Sequence, residues 1–334
     1  MKAYIKNISY YLPENILTNE ELVKEFPEWS VEKVADKIGI KQRHVSANEE
    51  TAGDMAVKAA EKLFQEHTIK PESIDFILFC TQSPDYFLPT TACLLQNKLG
   101  IPTTSGAIDF NLGCSGYVYG LSLAKGLLFA NIAKNVLLLT SETYTKYIHA
   151  LDKSNRSIFG DGATATLIST DGFAEIGDFV VGTDGQGASN LIIKTGCSRH
   201  PERKNTLDSD DGGYLVSPDH LYMNGSEIFN FTLEAVPKLI NSTLAKNNLE
   251  LSEIDLFILH QANKFMLNTL RKVCAIDKEN FYLDLEDVGN TVSSTIPIAI
   301  SRSKNLSLLK NGSKILLAGF GVGYSWGGCV LTCK

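Results

Sequence analysis

Cys114 is the residue of this sequence best placed to act as a nucleophile. It lies in the turn Gly113–Gly116, between a short apolar run at 106–111 and a segment at 117–129 that is apolar on nearly every face. This pattern predicts a buried strand, a tight turn and an interior helix. The free N–H groups and dipole at the start of that helix would stabilise a thiolate and could hold an oxyanion. The alternative is that Cys114 is a small buried hydrophobic residue, as most buried cysteines are.

His260 is a second candidate, because it directly follows the apolar stretch 254–259. That stretch predicts a buried strand, and ligands of open α/β sheets gather at the carboxyl ends of such strands. A lone histidine at a strand end is, however, more often a satisfied polar residue.

Two apolar strands recur at a nearly constant spacing and suggest that the chain is duplicated. Residues 73–78 resemble 253–259, which start 180 positions later, and 136–138 resemble 315–317, which start 179 positions later. This predicts two halves, 1–172 and 173–334. The same offset places the turn Gly289-Asn290 in the second half where the first half has its cysteine turn. A lone Asn before a helix is usually a cap, but here the repeat predicts that Asn290 faces Cys114.

The elements that position these residues alternate between strands and helices, which predicts an α/β fold with a sheet covered on both faces. We expect irregular surface loops at Gly182–Gly213, covering the mouth of a site. A long helix is expected to start near Met223 and to kink or break at Pro237.

Composition excludes several classes of protein. The 334 residues are 44% hydrophobic and 21% charged, and their net charge of −7 argues against a nucleic-acid partner. The seven cysteines form no CxxC pair or zinc-like spacing, so we expect reduced thiols, no metal and a cytoplasmic protein. Neither a signal peptide nor a membrane-inserted segment is expected.

Six motifs occur in order along the chain: DFNLGCSGYVYGL, FGDGA, MNGSEIFNF, LHQANKFM, DVGNTVSSTIP and GFGVGYSWGGCVL. Together they resemble the β-ketoacyl-acyl-carrier-protein synthase III family of the thiolase superfamily. The resemblance implies a thiolase-like duplicated βαβαβαββ fold in five α-β-α-β-α layers, assembled as a homodimer.

The resemblance also implies an activity, a decarboxylating Claisen condensation in fatty-acid or related lipid or polyketide biosynthesis. The substrates would be an acyl primer, delivered as acyl-CoA, and malonyl-acyl carrier protein, with no cofactor. An acyltransferase of the same fold that passes the acyl group to an alcohol or amine is the alternative, and a non-enzymatic subunit would be expected to lack Cys114. Primer identity, and whether the primer comes from coenzyme A or the carrier protein, stay open.

The motifs assign roles to residues by resemblance. Cys114 would carry the acyl group, His260 and Asn290 would hold an enolate, and the main-chain N–H groups of Cys114 and Val322 would form the oxyanion hole. The GFGVG turn has no second cysteine, which separates this chain from degradative thiolases.

Further residues would bind substrate or partner. Those implied for the coenzyme A or phosphopantetheine arm and the acyl pocket are Asn263, Arg156, Lys37, Phe159, Phe87 and Leu88, the last two on a loop that caps the partner subunit's pocket. The acidic carrier protein would dock on Lys264, Arg271 and Lys272. The alternative for these three is a solvated helix face.

Overall fold

The computed structural model describes residues 2–209 and 215–334, so the end of the expected loop region Gly182–Gly213 lies outside the described residues. The first half contains β1 (Tyr4–Tyr11), β2 (Asn15–Thr18), α1 (Asn19–Glu25), α2 (Val31–Ile38), β3 (Gln42–Val45), α3 (Ala52–His67), β4 (Phe76–Cys80), α4 (Thr91–Lys98), β5 (Gly106–Phe110), α5 (Gly116–Phe129), β6 (Val136–Glu142), α6 (Lys153–Arg156) and β7 (Gly162–Ser169). The second half contains β8 (Ala174–Thr183), β9 (Leu191–Ile192), β10 (Asp208–Ser209), β11 (Leu215–Val216), β12 (Tyr222–Met223), α7 (Gly225–Lys246), β13 (Leu256–Leu259), α8 (Lys264–Val273), α9 (Thr295–Asn305), β14 (Lys314–Gly321) and β15 (Ser325–Cys333).

The strand orders of the two halves correspond, in agreement with the repeat. The first half has the order β5-β4-β6-β7-β1, and the second has β13-β14-β15-β8. Phe76 of β4 lies opposite Val136 of the parallel strand β6, and Leu256 of β13 lies opposite Ile315 of the parallel strand β14. A single bridge at Phe281 takes the place of β5 in the second half. The boundary predicted after residue 172 falls between β7 and β8, and a short β1–β8 pairing joins the halves.

Helices separate and cover the two groups of strands. α5 contacts β4 and β6 of the first half as well as β14 and β15 of the second, and α9 contacts β1, β7 and β13. α3 and α4 pack on first-half strands, whereas α7 packs on second-half strands and against α8. The resulting order of helix, sheet, helix, sheet, helix is the thiolase-like five-layered α/β fold that the family resemblance implies.

Local side chains fix the ends of several helices. Thr18 and Glu21 form a capping box at the start of α1, and Thr51 and Asp54 do the same at the start of α3. Gly39 closes α2 with a φ of 80°, a left-handed conformation that suits glycine. Such caps satisfy N–H and C=O groups that a helix end otherwise leaves unpaired.

The central helix α5 is not buried on every side, contrary to expectation. Lys125 is accommodated because its Nζ donates to the carbonyls of Ile176 and Gly177. Leu123 and Phe129, in contrast, are 42% and 49% exposed. One apolar side of this helix therefore faces outward in the single chain.

The long helix α7 runs unbroken through Pro237, so the expected break is wrong. Proline removes one main-chain hydrogen bond. The buried residues Val236, Leu239 and Ile240 around it hold the helix against the sheet. Among the described helices, none is long and apolar enough to cross a membrane.

Candidate active site

A cavity of about 150 Å³ brings the three predicted catalytic side chains together. Cys114 comes from the first half, whereas His260 and Asn290 come from the second, and all three line it. The rest of the wall is largely apolar and includes Ile158, Phe159, Leu191, Met223, Ile228, Met266 and Phe320. The site is thus built between the repeated halves, with little water-accessible surface around its polar groups.

Cys114 lies in the turn before α5, and its side chain is buried. The main-chain N–H groups of Cys114 and Val322 both donate toward its sulfur and favour the thiolate. Burial nevertheless raises the pKa of the thiol to about 12, and the nearby carboxyl of Glu142 adds to the rise. The expected stabilised thiolate is therefore wrong for the resting site, because two amides do not compensate for the loss of water around the sulfur.

Two glycines let strand β14 pass beside the cysteine turn. A Cβ atom on Gly319 would lie 2.8 Å from the carbonyl oxygen of Cys114, and one on Gly321 would lie 2.9 Å from its Sγ. Because real Cβ atoms do not approach other atoms so closely, a larger residue would displace the nucleophile. The GFGVG motif thereby brings the Val322 amide to the sulfur.

His260 follows β13 and is almost fully buried. Its main-chain N–H donates to the carbonyl of Ala318, which fixes it to the neighbouring strand β14. Burial lowers the pKa of His260 to about 3. The ring is therefore a neutral imidazole at physiological pH, one nitrogen of which carries a proton.

Asn290 is held by main-chain contacts across the halves. Its N–H donates to Ile158, and its carbonyl accepts from the N–H of Gly160 in the FGDG motif. Its side-chain Oδ1 accepts from the N–H of Val292 at 2.9 Å, so its Nδ2 is turned toward Nε2 of His260, 3.5 Å away. The FGDG motif thus positions the asparagine of the other half.

Glu142 is a buried residue near the site that sequence reasoning missed. Its carboxyl group accepts from the N–H of Gln82 and the hydroxyls of Ser83 and Ser293. Burial still raises its pKa to about 8, so the group is largely protonated at pH 7 and opposes the Cys114 thiolate only at the higher pH where both groups ionise. The sequence signal that could have identified Glu142 is its place at the carboxyl end of the apolar strand β6.

The residues predicted to bind the substrate arm divide into two groups. Phe159 and Asn263 line the cavity, and Asn263 also caps α8 because its Oδ1 accepts from the N–H of Met266 at 2.9 Å. Phe87 and Leu88 lie outside the cavity and are 84% and 82% exposed.

Arg156 is not brought to the cavity and is engaged elsewhere. Its guanidinium forms two hydrogen bonds with the carboxylate of Glu25, at 2.6 and 3.0 Å. A different cation, Lys153, lies over the ring of Trp29, which precedes α2; its Nζ is 5.7 Å from the ring centroid and 2.6 Å from Glu28. Lys153 and Trp29 form a pair that the motif spacing did not reveal.

The basic residues predicted for docking lie around α8. Lys264 and Lys272 are exposed on the helix, and Lys37 is exposed at the end of α2, which packs against it. The described residues offer no carboxylate partner within 4.0 Å to these three lysines. Arg271 differs, because it is half-buried and donates to the carbonyl of Ile276.

The duplicated five-layered fold, with a cysteine, a histidine and an asparagine at its centre, defines a condensing enzyme of the thiolase type. Family models described as 3-oxoacyl-[acyl-carrier-protein (ACP)] synthase III and as its C-terminal part match residues 108–185 and 244–333. The chain belongs to the 3-oxoacyl-[acyl-carrier-protein] synthase III family.

Relatives and solved structures agree over the whole chain. Beta-ketoacyl-[acyl-carrier-protein] synthase III of Clostridium perfringens (strain ATCC 13124) is 36% identical over 322 residues, covering 96% of each chain. A 3-oxoacyl-(acyl-carrier-protein) synthase III crystal structure is similar with a TM-score of 0.96 and 48% identity, covering 99% of this chain and 100% of that one. A 3-oxoacyl-(acyl-carrier protein) synthase structure from Burkholderia xenovorans LB400 has a TM-score of 0.89 and 35% identity, covering 100% and 95%.

Proposed function

We propose that the protein joins an acyl primer to malonyl-acyl carrier protein by decarboxylating condensation, in fatty-acid or related lipid or polyketide biosynthesis. The observation that supports this best is the shared cavity of Cys114, His260 and Asn290, with the amides of Cys114 and Val322 directed at the sulfur. The two half-reactions need one nucleophile, one pair of amide donors and one imidazole–carboxamide pair.

In the first half-reaction, the sulfur of Cys114 attacks the thioester carbonyl of acyl-CoA. The carbonyl oxygen gains the negative charge and accepts hydrogen bonds from the N–H groups of Cys114 and Val322. The tetrahedral intermediate then expels the coenzyme A thiolate, which takes up the proton lost by the thiol. Because the resting thiol is neutral, we expect its proton to leave as the new carbon–sulfur bond forms.

In the second half-reaction, malonyl-carrier protein loses carbon dioxide, and the electron pair of the broken C–C bond forms an enolate. The enolate oxygen accepts hydrogen bonds from Nε2 of His260 and Nδ2 of Asn290. Its carbon attacks the acyl group on Cys114, and collapse of the intermediate releases the thiolate, which takes a proton from water. Transfer to an alcohol or amine would need no enolate site, so this pair favours condensation.

The test of this function is an incubation with acyl-CoAs of increasing chain length, followed by malonyl-carrier protein. We expect the preferred primer to add one acyl mass per chain and then to yield a 3-oxoacyl-carrier product two carbons longer than the primer. Intact-protein and product mass spectrometry measure both steps. An adduct that passes to alcohols or amines but never to malonyl-carrier protein would refute condensation.

We also propose that the acidic carrier protein docks on α8 through Lys264 and Lys272, with Arg271 closing the end of that helix. Lys264 directly follows Asn263, which lines the cavity, and none of these three cations has a carboxylate partner in the described part of the chain. We propose that Lys37 and the Trp29–Lys153 pair contact the nucleotide end of coenzyme A, whereas Arg156 is occupied by Glu25.

Charge reversal tests the docking surface. Lys264→Glu is expected to raise the KM for malonyl-carrier protein about tenfold, because an attractive contact becomes repulsive, while leaving acylation by acyl-CoA unchanged. The difference in KM between Lys264→Glu and the wild type should shrink at high salt, because salt screens the charge–charge contact. Lys310→Glu is the matched control, since Lys310 is also exposed but precedes the amino end of β14, away from the cavity. Equal effects of both changes would contradict the assignment.

Finally, we propose that two copies of the chain assemble. Phe87 and Leu88 project from the surface, and Ile132, which follows α5, is 61% exposed. Strand β5 forms an open edge of the sheet. Exposed apolar side chains and a strand with one open edge are typical of a surface that a partner covers, and the loop of Phe87 would then reach the acyl pocket of a second copy.

A further inference from the structure

Thr295 places a buried hydroxyl directly behind His260. Its Oγ1 lies 2.8 Å from Nδ1 of the imidazole and 3.1 Å from the carbonyl oxygen of Val292. Thr295 begins α9 and is 3% exposed. The ring therefore has its Nδ1 against this hydroxyl and its Nε2 toward Asn290 and the cavity.

The hydroxyl has a single proton and can donate it to only one of these two acceptors. The carbonyl of Val292 already accepts the main-chain N–H of Thr295. Nδ1 of His260 has no other hydrogen-bond partner within the described ranges 2–209 and 215–334. Two arrangements satisfy these contacts: either the hydroxyl donates to Nδ1, or Nδ1–H donates to Oγ1 and the hydroxyl gives the Val292 carbonyl a second hydrogen bond. The first arrangement leaves each acceptor with one donor.

Asn290 provides an independent reason for the same choice. Its Oδ1 is fixed by the N–H of Val292, so the group facing His260 is the donor Nδ2, at 3.5 Å from Nε2. That separation is long for a hydrogen bond between the two nitrogens. It suits two N–H donors that point to one oxygen atom placed between them in the cavity.

We propose that Thr295 is a positioning residue, whose hydroxyl donates to Nδ1 of His260 and holds the proton of the neutral ring on Nε2. This inference rests on the proposed function, because it explains how His260 comes to be a donor for the enolate. With the opposite tautomer, Nε2 would present a lone pair, and Asn290 would be the one remaining side-chain donor of the pair. Condensation would then lose stabilisation, whereas acylation at the amides of Cys114 and Val322 would not.

The tautomer can be read directly by ¹⁵N NMR of the protein with labelled histidine, with the signal of His260 identified by its loss in His260→Gln. We expect the wild type and Thr295→Ser to carry the proton on Nε2. Thr295→Val keeps the shape of the side chain but lacks the hydroxyl, so its ring is expected to shift toward protonation at Nδ1. Nδ1 protonated in the wild type overturns the proposal without any variant.

Activity supplies the second measurement on the same three proteins. We expect Thr295→Val to lower single-turnover condensation about 10- to 100-fold while changing acylation by acyl-CoA less than about threefold, and Thr295→Ser to retain both. The role of Thr295 is overturned if Thr295→Val condenses within about twofold of the wild type. It is also overturned if this variant loses acylation to the same extent as it loses condensation. If Asn290→Ala also condenses normally, the enolate site itself is wrong, which separates the failure of the proposed function from that of the tautomer.

Discussion

Replacing Cys114 with alanine is expected to abolish acylation of the protein by acyl-CoA, with a loss of at least about 10³-fold. Removing the sulfur removes the atom that forms the thioester, and the residues that line the cavity include no second thiol to replace it. Intact-protein mass spectrometry after incubation with the preferred primer measures the loss. Peptide mapping of the acylated wild type should place the adduct on Cys114.

The chain offers a matched control for this change. Cys93 is a free, exposed cysteine on α4, outside the cavity. Cys93→Ala should acylate as the wild type does. If instead the adduct persists in Cys114→Ala and maps to Cys93 or to the buried Cys80, the nucleophile has been misassigned.

Replacing Asn290 with alanine is expected to separate the two half-reactions. Acylation should change by less than about threefold, while condensation with malonyl-carrier protein should fall about 10²- to 10³-fold, because one donor to the developing enolate is lost. Single-turnover assays that follow formation of the adduct and then its consumption measure the two steps separately. Release of carbon dioxide from malonyl-carrier protein should fall together with condensation.

A second variant guards against distortion of the turn. Asn290 also accepts the N–H of Val292, and Asn290→Asp keeps an oxygen for that bond while replacing the Nδ2 donor with a second oxygen. It should show the same selective loss as Asn290→Ala. An equal reduction of acylation and condensation in both variants would contradict the enolate role.

The strongest local patterns in the sequence predicted the parts of the fold that build the site. The largely apolar segment after Cys114 predicted an interior helix, and the offset between the two pairs of strands matches the observed pairing of Phe76 with Val136 and of Leu256 with Ile315. Because the halves repeat, the constant offset between equivalent residues predicted which turns of the two halves face each other. This is why residues as distant as Cys114 and Asn290 could be assigned to one cavity.

The remaining features depend on contacts that no local pattern contains. The pKa of Cys114 is raised by burial and by Glu142, and both arise only when β6 and the second half close around the cysteine turn. Lys153 lies over the ring of Trp29 although the two residues are far apart in the chain, which motif spacing cannot express. Thr295 meets His260 although 35 positions separate them. The exposure of one side of α5 likewise depends on which surfaces the folded single chain leaves uncovered.

The most direct test of the whole account is a single-turnover chase of isolated acyl-enzyme. The protein is acylated with a ¹³C-labelled primer, freed of excess acyl-CoA, and mixed with malonyl-carrier protein. We predict that the adduct on Cys114 disappears at the rate at which labelled 3-oxoacyl-carrier product and carbon dioxide appear, in equal amounts. Product that forms without the label, or while the adduct on Cys114 persists, would contradict condensation through this cysteine.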